Sequence, residues 1–525
     1  MNNFIRNLEI KIVGLIVLVS GTLYLSWMFM SLNWDNPVLA LLFALANILA
    51  AISIFIAIIN YTSFSIPEVR LIEEDDELPI VGVIIPTYKE PVDMVRRTAV
   101  SVLTQNYPED KIVLIISDDA HDVAVKAMVH NLDAQYVNAN ILYFEPPLKD
   151  DPNRRGEAKS GNLNAVYDKL LELEDIQYIE TRDADDEVGH PDFLRHALAH
   201  LIHNTDAAYV QTIKEVATTP GDPFGNLEGF FYRSLMLSKN KTKSVFPCGS
   251  GLVWRKDALV SIGGFPIWNV VEDFQSGAEA MRRGWRGIFI PIVGAIGQVS
   301  PEDIESLYKQ RGTWALDSIR YMLYGDKSGM NIRQKLNMIE PGLAYITSIA
   351  SIIFALIPVM SLLFGIGPLS VDSFEYFLYL GPYMLSMNLF MYLRALRSGV
   401  SMGSIIRSYQ TLFGLSPVYF RAFLQALKFG RNRKPKYIVT RKTHKHGVYL
   451  KDVYIQLVVV MLLFLSITGE FSQYFHYGES IDFFTTIWAV FYLYLFQRIV
   501  MNSIHGVTVS SLLGIKKQKY IFQNA

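Results

Sequence analysis

The stretch YIETRDADDEVG, residues 178–189, packs Asp183, Asp185 and Asp186 into four positions. Carboxylates gathered this closely repel one another unless a cation joins them. Read as an extended segment, the stretch sends Asp183 and Asp185 to the same side, so both can approach one ion. Oxygen ligands with open positions suit Mg2+ or Mn2+, whose coordination substrate phosphates usually complete. The regular ligand spacing and flanking helices of a Ca2+-binding loop are missing. Taken alone, the triplet fits a solvated acidic turn as well as a metal site.

Other residues invite a chemical reading. Thr87, Tyr88 and Glu90 follow LPIVGVIIP, and Asp118 and Asp119 close KIVLIISDD. Lys159 stands at the opening of AKSGNLN. Glu272 and Asp273 begin an apparent helix in NVVEDFQSGAEAMRRGW, where spacing alone fits a helix-capping pair equally well. Gln310 and Trp314 are four apart and share one helix face. An exposed indole offers a flat platform for the apolar face of a sugar ring, and it is also a common membrane-interface anchor. Cys248 is the only cysteine, which excludes an internal disulfide or a Cys-based zinc site.

These residues need elements to hold them. LPIVGVIIP reads as a buried strand, followed by the helical spacing of RRTAVSVLTQNY. KIVLIISDD, VAVKAMVHNL, ILYFE, GEAKSGNLNAVYDKLLEL and the run into RDADDE continue the alternation of strand and helix. That order argues for a mostly parallel sheet with helices on both faces, which binds ligands beyond the carboxyl ends of its strands. Thr87, Asp118, Asp119, Asp183 and Asp185 all fall at such ends. Acids converging there from separate strands favour the metal reading over the acidic turn.

The chain has 525 residues, 51% hydrophobic yet 19% charged, with a net charge of −2. Such a mixture suits a soluble domain joined to a membrane bundle, and its near-neutral charge gives no field for nucleic acid. Charge-free runs at Ile12–Met30 and Pro37–Tyr61 approach the ~20 residues a helix needs to cross a bilayer. Further apolar runs start at Pro341, Tyr376, Tyr454 and Phe483, giving two spans before the polar domain and four after it. The first run lacks a signal-peptide cleavage site. Lys and Arg crowd the loops RALRSG, FGRNRKPKYIVTRKTHKHG and GIKKQK and are absent from NWDN, PLSVDSFE and EFSQYFHYGESID. The basic side is cytosolic, so the polar domain is expected there, at the plasma membrane. PEDIESLYKQRGTWALDSIRYMLYG reads as an amphipathic helix lying on the membrane surface. The expected domains are 1–64 (two spans), 78–300 (catalytic), 301–338 (interface helices), 339–396 (spans three and four), 397–450 (interface helix and basic loop), 451–504 (spans five and six) and 505–525 (tail).

In order along the chain stand PTYKEP, DDA, AKSGNLN, DAD, VQT, PCGSG, VED, QRGTW and YIVTRK. With these motifs the sequence resembles the processive, membrane-embedded family 2 glycosyltransferases, the cellulose synthase group. The resemblance covers nearly the whole chain and implies an α/β nucleotide-sugar domain of the GT-A fold inserted between transmembrane helices. It implies a UDP-sugar donor, a growing polysaccharide acceptor and a lipid bilayer as partners. Thr87, Tyr88, Glu90, Asp118 and Asp119 would line the nucleotide site, where a carboxylate can accept from the uracil N–H. Lys159 would meet phosphate or sugar oxygens at a helix start. Asp183 and Asp185 would hold Mg2+ or Mn2+ on the diphosphate. Asp273 would be the general base, with Glu272, Cys248 and Trp314 at the acceptor and Gln310 on the donor side. Cys248 is expected to act by its small shape, since no displacement here needs a thiolate.

The family pattern Q-x-x-R-W is broken. Thr313 replaces the arginine, and Arg311 lies about 200° round the helix from that position. Arg441 and Lys442, in a loop that gates the family's site, are the expected compensating cations. UDP-glucose is the first-choice donor. UDP-N-acetylglucosamine, as in hyaluronan and chitin synthases, is the runner-up. Transfer of one sugar to a lipid phosphate needs no tryptophan platform and is disfavoured, as is an inactive scaffold, since the aspartates are intact. Because only a short tail follows the last span, the fused cyclic-dinucleotide receptor domain of many bacterial cellulose synthases is not expected. Charge reversal of Arg441 and Lys442 should weaken UDP binding about tenfold or more in a calorimetric titration, the loss of one charge-assisted contact. Unchanged affinity would leave the loop as a topogenic basic segment with no contact to nucleotide.

Overall fold

The computed structural model of the chain describes residues 2–62, 67–173, 175–217, 224–225, 231–301, 303–435, 447–478 and 480–505. Its centre is an eight-stranded sheet in the order β3-β2-β1-β4-β7-β6-β8-β5. The strands are β1 (Val81–Thr87), β2 (Ile112–Asp118), β3 (Asn140–Phe144), β4 (Tyr178–Thr181), β5 (Glu187–Val188), β6 (Ala207–Ala217), β7 (Leu252–Arg255) and β8 (Arg286–Val299). β1 to β4 run parallel, as the βαβ alternation requires, while β7 is antiparallel to both β4 and β6. The sheet is therefore mixed. In its parallel half β1, β2 and β4 are nearly all buried, while the edge strand β3 is partly exposed.

Register places the candidate residues side by side. Thr87 pairs with Asp118 at the ends of β1 and β2. The Asp119 N–H then donates to the Thr87 carbonyl at 2.9 Å, and the Arg182 N–H to the Ile84 carbonyl at 3.0 Å. Arg182 is wholly buried just beyond β4. It donates to Glu180 Oε1 at 2.6 Å and to the carbonyls of Asp186, Glu187 and Gly294. Burying a guanidinium is costly unless its donors are matched, and these contacts match it while fixing the chain that carries Asp183 to Asp186.

Long apolar helices surround this domain: Asn2–Met30, Pro37–Tyr61, Ile332–Phe364, Ser373–Ser398, Tyr454–Tyr477 and Phe483–His505. Five of them are long and apolar enough to cross a membrane by length and composition. The exception, Ser373–Ser398, has Glu375 in its first turn and Arg394 and Arg397 near its end, and it packs along the first helix. There Trp27 stacks on Tyr379 with centroids 4.5 Å apart and donates Nε1–H to Glu375. The third span starts at Ile332, where Asn331 and Gln334 form a reciprocal capping box, and it continues through Pro341 and Pro358. The loops without Lys or Arg meet at one end of the bundle. The Asn33 N–H donates to the Pro368 carbonyl at 2.9 Å, and Ser373 Oγ donates to Asp482 at 2.6 Å. The sheet domain lies at the other end, where Lys239 donates to Asn337 and Glu340 at the foot of the helix Ile332–Phe364.

The helix Ile304–Tyr324, expected to be amphipathic, buries its apolar stripe against protein. Ile304, Leu307, Ala315, Leu316 and Ile319 are buried against Leu415, Tyr419, Ala422 and Ala426, on and beside the helix Ser416–Phe429. The apolar stripe that reads as membrane-seeking is satisfied by a second helix, which periodicity alone cannot distinguish.

Candidate active site

At the first strand ends, Glu90 accepts from Thr87 Oγ1 at 2.9 Å and from the Tyr88 N–H. Lys149 lies over the Tyr88 ring, 3.8 Å from its centroid, and its hydrogen bond and charge hold the phenol below its usual range. Asp118 is fully buried, and its oxygens accept from the N–H groups of Ala120 and Asp122 and from the Tyr143 hydroxyl. It shapes the loop from inside. Asp119 meets Arg154 in a fork, each oxygen 2.8 Å from a guanidinium nitrogen, with both side chains nearly inaccessible. Arg154 also binds the carbonyls of Pro147, Gly156 and Ala158, drawing that loop over Asp119. Nothing in DPNRRGEAK distinguishes Arg154 from its neighbours before folding.

The acidic segment is a turn, not the extended run its alternation suggests. The Asp186 N–H donates to the Asp183 carbonyl at 3.0 Å, and the Asp183 N–H donates to Ser250 Oγ at 3.1 Å. Asp185 is nearly buried and Asp186 wholly so. Both oxygens of Asp183 carry an ammonium: Lys159 on Oδ1 and Lys214 on Oδ2, the latter at 3.0 Å. Lys214 also lies 3.2 Å from Asp186 Oδ2. Burial pulls the Lys214 ammonium toward deprotonation, but Asp186 and Asp183 outweigh it and hold it well above the lysine range. The sequence did carry a signal for Lys214: a lone lysine inside the β-branched, apolar run AAYVQTIKEV.

Lys159 lies in the first turn of the helix Ala158–Leu170. Besides Asp183 it reaches the Gly249 carbonyl at 3.0 Å and Glu272 Oε1 at 3.5 Å. Burial works against its charge, and Asp183 and Glu272 more than restore it. Glu272 and Asp273 open the helix Glu272–Arg282. Asp273 Oδ1 accepts from the Phe274 N–H at 2.6 Å. Burial, then the neighbouring Glu272 charge, pushes the Asp273 carboxyl up to about 7, against the pull of Lys159. A methyl placed on Gly249 would lie 3.1 Å from Asp273 Oδ2 and 3.2 Å from Lys159 Nζ. Asp183, Lys159 and Asp273 thus converge around one glycine, whose φ of +80° favours that residue.

Cys248 sits in the same loop. Its N–H donates to Gln211 Oε1 at 2.7 Å, and Gln211 Nε2 binds the carbonyls of Ser250 and Gly251. The glutamine of VQT therefore shapes the PCGSG loop. Next to this helix start, Asp317 accepts from the N–H groups of Val270 at 3.2 Å and Val271 at 2.6 Å, holding the approach to Glu272. Burial raises Asp317 to about 7 even so. Buried Arg320 binds the carbonyls of Trp268, Gly430, Arg431 and Arg433. Gln310 and Trp314 are half-buried on this helix. Thr313 turns its hydroxyl back to the Lys309 carbonyl at 2.8 Å, and Arg311 lies over the Trp314 ring, 4.8 Å from the centroid. Arg441 and Lys442 fall outside the described residues.

A mixed α/β sheet with two lysines, paired aspartates and an elevated carboxyl at its strand edge is an arrangement suited to a nucleotide-sugar glycosyltransferase. Residues 82–263 match the model of glycosyl transferase family 2, and residues 178–397 match that of glycosyl transferase family group 2. Across residues 82–397 the chain is similar to the family 2 glycosyltransferases, and the relatives it matches are cellulose synthases. It is 25% identical over 374 residues to a cellulose synthase 1 catalytic subunit (UDP-forming) of Komagataeibacter xylinus, covering 67% of this chain and 46% of that protein. It is 29% identical over 251 residues to the cellulose synthase catalytic subunit (UDP-forming) of Xanthomonas axonopodis pv. citri, covering 45% and 31%. The chain thus spans less than half the length of these relatives. A mannosyltransferase of Pyrobaculum calidifontis, solved with GDP-mannose and Mn2+, shares the fold at a TM-score of 0.51 and 17% identity, covering 74% of this chain and 99% of its own.

Lys214→Met would leave Asp186 buried without its counter-charge. A loss of about 3–5 kcal/mol is expected, the usual cost of breaking a buried pair, read as a lower Tm in detergent. Adding Asp186→Asn should recover much of it. A double variant as unstable as the single would show that the pair is not the cause.

Proposed function

We propose that the chain is a processive, inverting glycosyltransferase that polymerises a β-linked glucan from UDP-glucose. It works at the cytosolic face of the plasma membrane and passes the product out between its own helices. The observation that carries this reading is the meeting of Asp183 and Asp273 around Lys159 and Gly249, at the strand edge and beside the helix bearing Trp314. Donor-side acid and acceptor-side base share one small volume, as a single displacement requires. The UDP-forming cellulose synthases among its relatives support glucose as the sugar. The gathering of the loops free of Lys and Arg at the far end of the bundle supports the cytosolic placement of the domain.

The residues present fit a divalent cation. Asp183 and Asp185 offer carboxylate oxygens from one turn, where a metal ion would take the place that an ammonium group holds on Asp183. Mg2+ or Mn2+ bound by them would neutralise charge on the departing diphosphate. Lys159 and Lys214 add cationic charge at the same place. Asp273 accepts the proton from the acceptor hydroxyl as that oxygen forms its bond to the sugar C1. The bond from C1 to the phosphate oxygen breaks, UDP leaves with the electron pair, and the α-linked donor yields a β-linked product. Asp317 positions Asp273 by holding the backbone of Val270 and Val271. The Trp314 indole stacks on the acceptor sugar.

A base whose pKa is about 7 must lose its proton to act. Below that value kcat/KM should fall about tenfold per pH unit, and above it the profile should level. Asp273→Asn should lower kcat at least about 100-fold while UDP still binds. A profile flat from pH 5.5 to 8 would remove Asp273 from the role. The reaction is tested by incorporation of labelled sugar into reconstituted protein, with UDP-glucose and UDP-N-acetylglucosamine offered separately with Mg2+ or Mn2+. High-molecular-weight product from UDP-glucose alone is expected. Polymer from the other donor alone would move the chain to the hyaluronan or chitin side, and UDP release without polymer would overturn processive synthesis.

A further inference from the structure

A second group of ligand-type side chains stands apart from the strand edge. His190, Asp192 and His196 surround the start of the helix Phe193–His203, and one ligand atom from each lies within 4.8 Å of the others. Asp192 and His196 are four apart and so lie on one face of the helix. His196 Nδ1 lies 2.6 Å from the Arg70 carbonyl. A carbonyl only accepts, so Nδ1 carries the proton and Nε2 keeps its lone pair for a metal. Asp192 Oδ1 accepts from Asn106 Nδ2 at 2.5 Å, which orients the carboxylate. The His190 ring stands 5.2 Å from that of His196 at 70°. Its Nδ1 accepts from the Asp192 N–H at 3.1 Å, a long contact that ligation through this atom would replace. Outer partners of this kind fix the tautomer and direction of metal ligands. All three side chains are half-buried, so an ion can enter from solvent.

The surroundings say what a metal here would do. Residues 67–75 lead from the second span to the catalytic sheet, and the same helix grips them. The Arg70 N–H donates to His200 Nε2 at 3.1 Å, and Arg195 donates to the carbonyls of Ile72 and Glu73 and pairs with Asp75. Burial holds the His200 imidazole down to about 4, so it stays neutral and keeps accepting that N–H. The linker is therefore tied directly to a ligand of the cluster through Arg70.

We propose that His190, Asp192 and His196 form a binding site for a divalent transition metal of the zinc class, which locks the linker from the membrane onto the catalytic domain. Two imidazole nitrogens and one carboxylate suit Zn2+, with water in the fourth position, whereas Mg2+ prefers oxygen alone. The site therefore differs in metal preference from the all-oxygen pair Asp183 and Asp185, and it stands whether or not the proposed polymerisation does.

The test uses the full chain in detergent, stripped with chelator and then dialysed against Zn2+ with Mg2+ in large excess to fill the oxygen site. Zinc is counted by mass spectrometry of the metal, and Tm is read with and without it. The expected result is about one zinc per chain, with a Tm that rises on loading as ligand linkage requires. His196→Gln can still donate an amide N–H to the Arg70 carbonyl, so it should fold with the stripped protein's Tm yet retain no zinc. Asp192→Asn keeps an acceptor for Asn106 and should bind zinc at least about tenfold more weakly. Asp183→Asn, which disables the strand-edge site, should retain zinc in full. Zinc kept by His196→Gln, lost by Asp183→Asn, or bound by neither wild type nor variants would overturn the proposal.

Discussion

The ammonium of Lys159 joins the two halves of the candidate active site. On one side it meets Asp183, whose turn follows β4, and on the other it meets Glu272, whose helix follows a loop far along the chain. Buried Glu272 would be costly without a counter-charge, and the half-buried Asp183 shares the same cation while also meeting Lys214. The cost of the cation's own burial is offset by the same contacts. Gly249 is needed because any side chain there would enter the space between Lys159 and Asp273. The elevated pKa of Asp273 follows as well, since Lys159 is shared with other acids and cannot fully offset burial and Glu272.

A second buried pair of residues extends this order toward the membrane. Asp317 and Arg320 lie less than one turn apart on the helix Ile304–Tyr324. Asp317 holds the backbone just before Glu272, while Arg320 gathers Trp268 and the carbonyls of residues 430–433. Arg320 also lies over the Trp268 ring, 4.0 Å from its centroid. The approach to the base, the helix carrying Trp314 and the root of the basic loop are therefore fixed to one another.

Much of this was legible in the sequence because it is periodic. The strands β1 to β4 and the helices between them announce themselves by apolar runs ending in turn residues, and their order places Thr87, Asp119 and Asp183 at one edge. The antiparallel insertion of β7 was not legible, because strand direction depends on long-range pairing that local pattern does not encode. The inward turn of Asp118 was hidden for a similar reason: two adjacent aspartates look alike until backbone N–H groups claim one of them. Arg154 sits in a polar loop without periodicity. Lys214 could have been found, as a charge inside a buried strand demands a partner. The stripe of Ile304–Tyr324 was read correctly as apolar, but whether lipid or protein covers such a stripe is a tertiary matter.

The third span is a continuous helix of 33 residues, about 50 Å long at the usual rise. Its foot is clamped by the domain, where buried Lys239 donates to Asn337 Oδ1 at 2.8 Å and to Glu340 Oε2 at 2.7 Å. Its head leads into the turn at Pro368, which meets Asn33. Over that length a tilt of about 2° displaces one end relative to the other by about 2 Å. Pro341 and Pro358, which each remove one rung of the helix's internal ladder, mark where such a helix bends most easily. One unbroken backbone thus joins the residues clamped by the sheet domain to the opposite rim of the bundle.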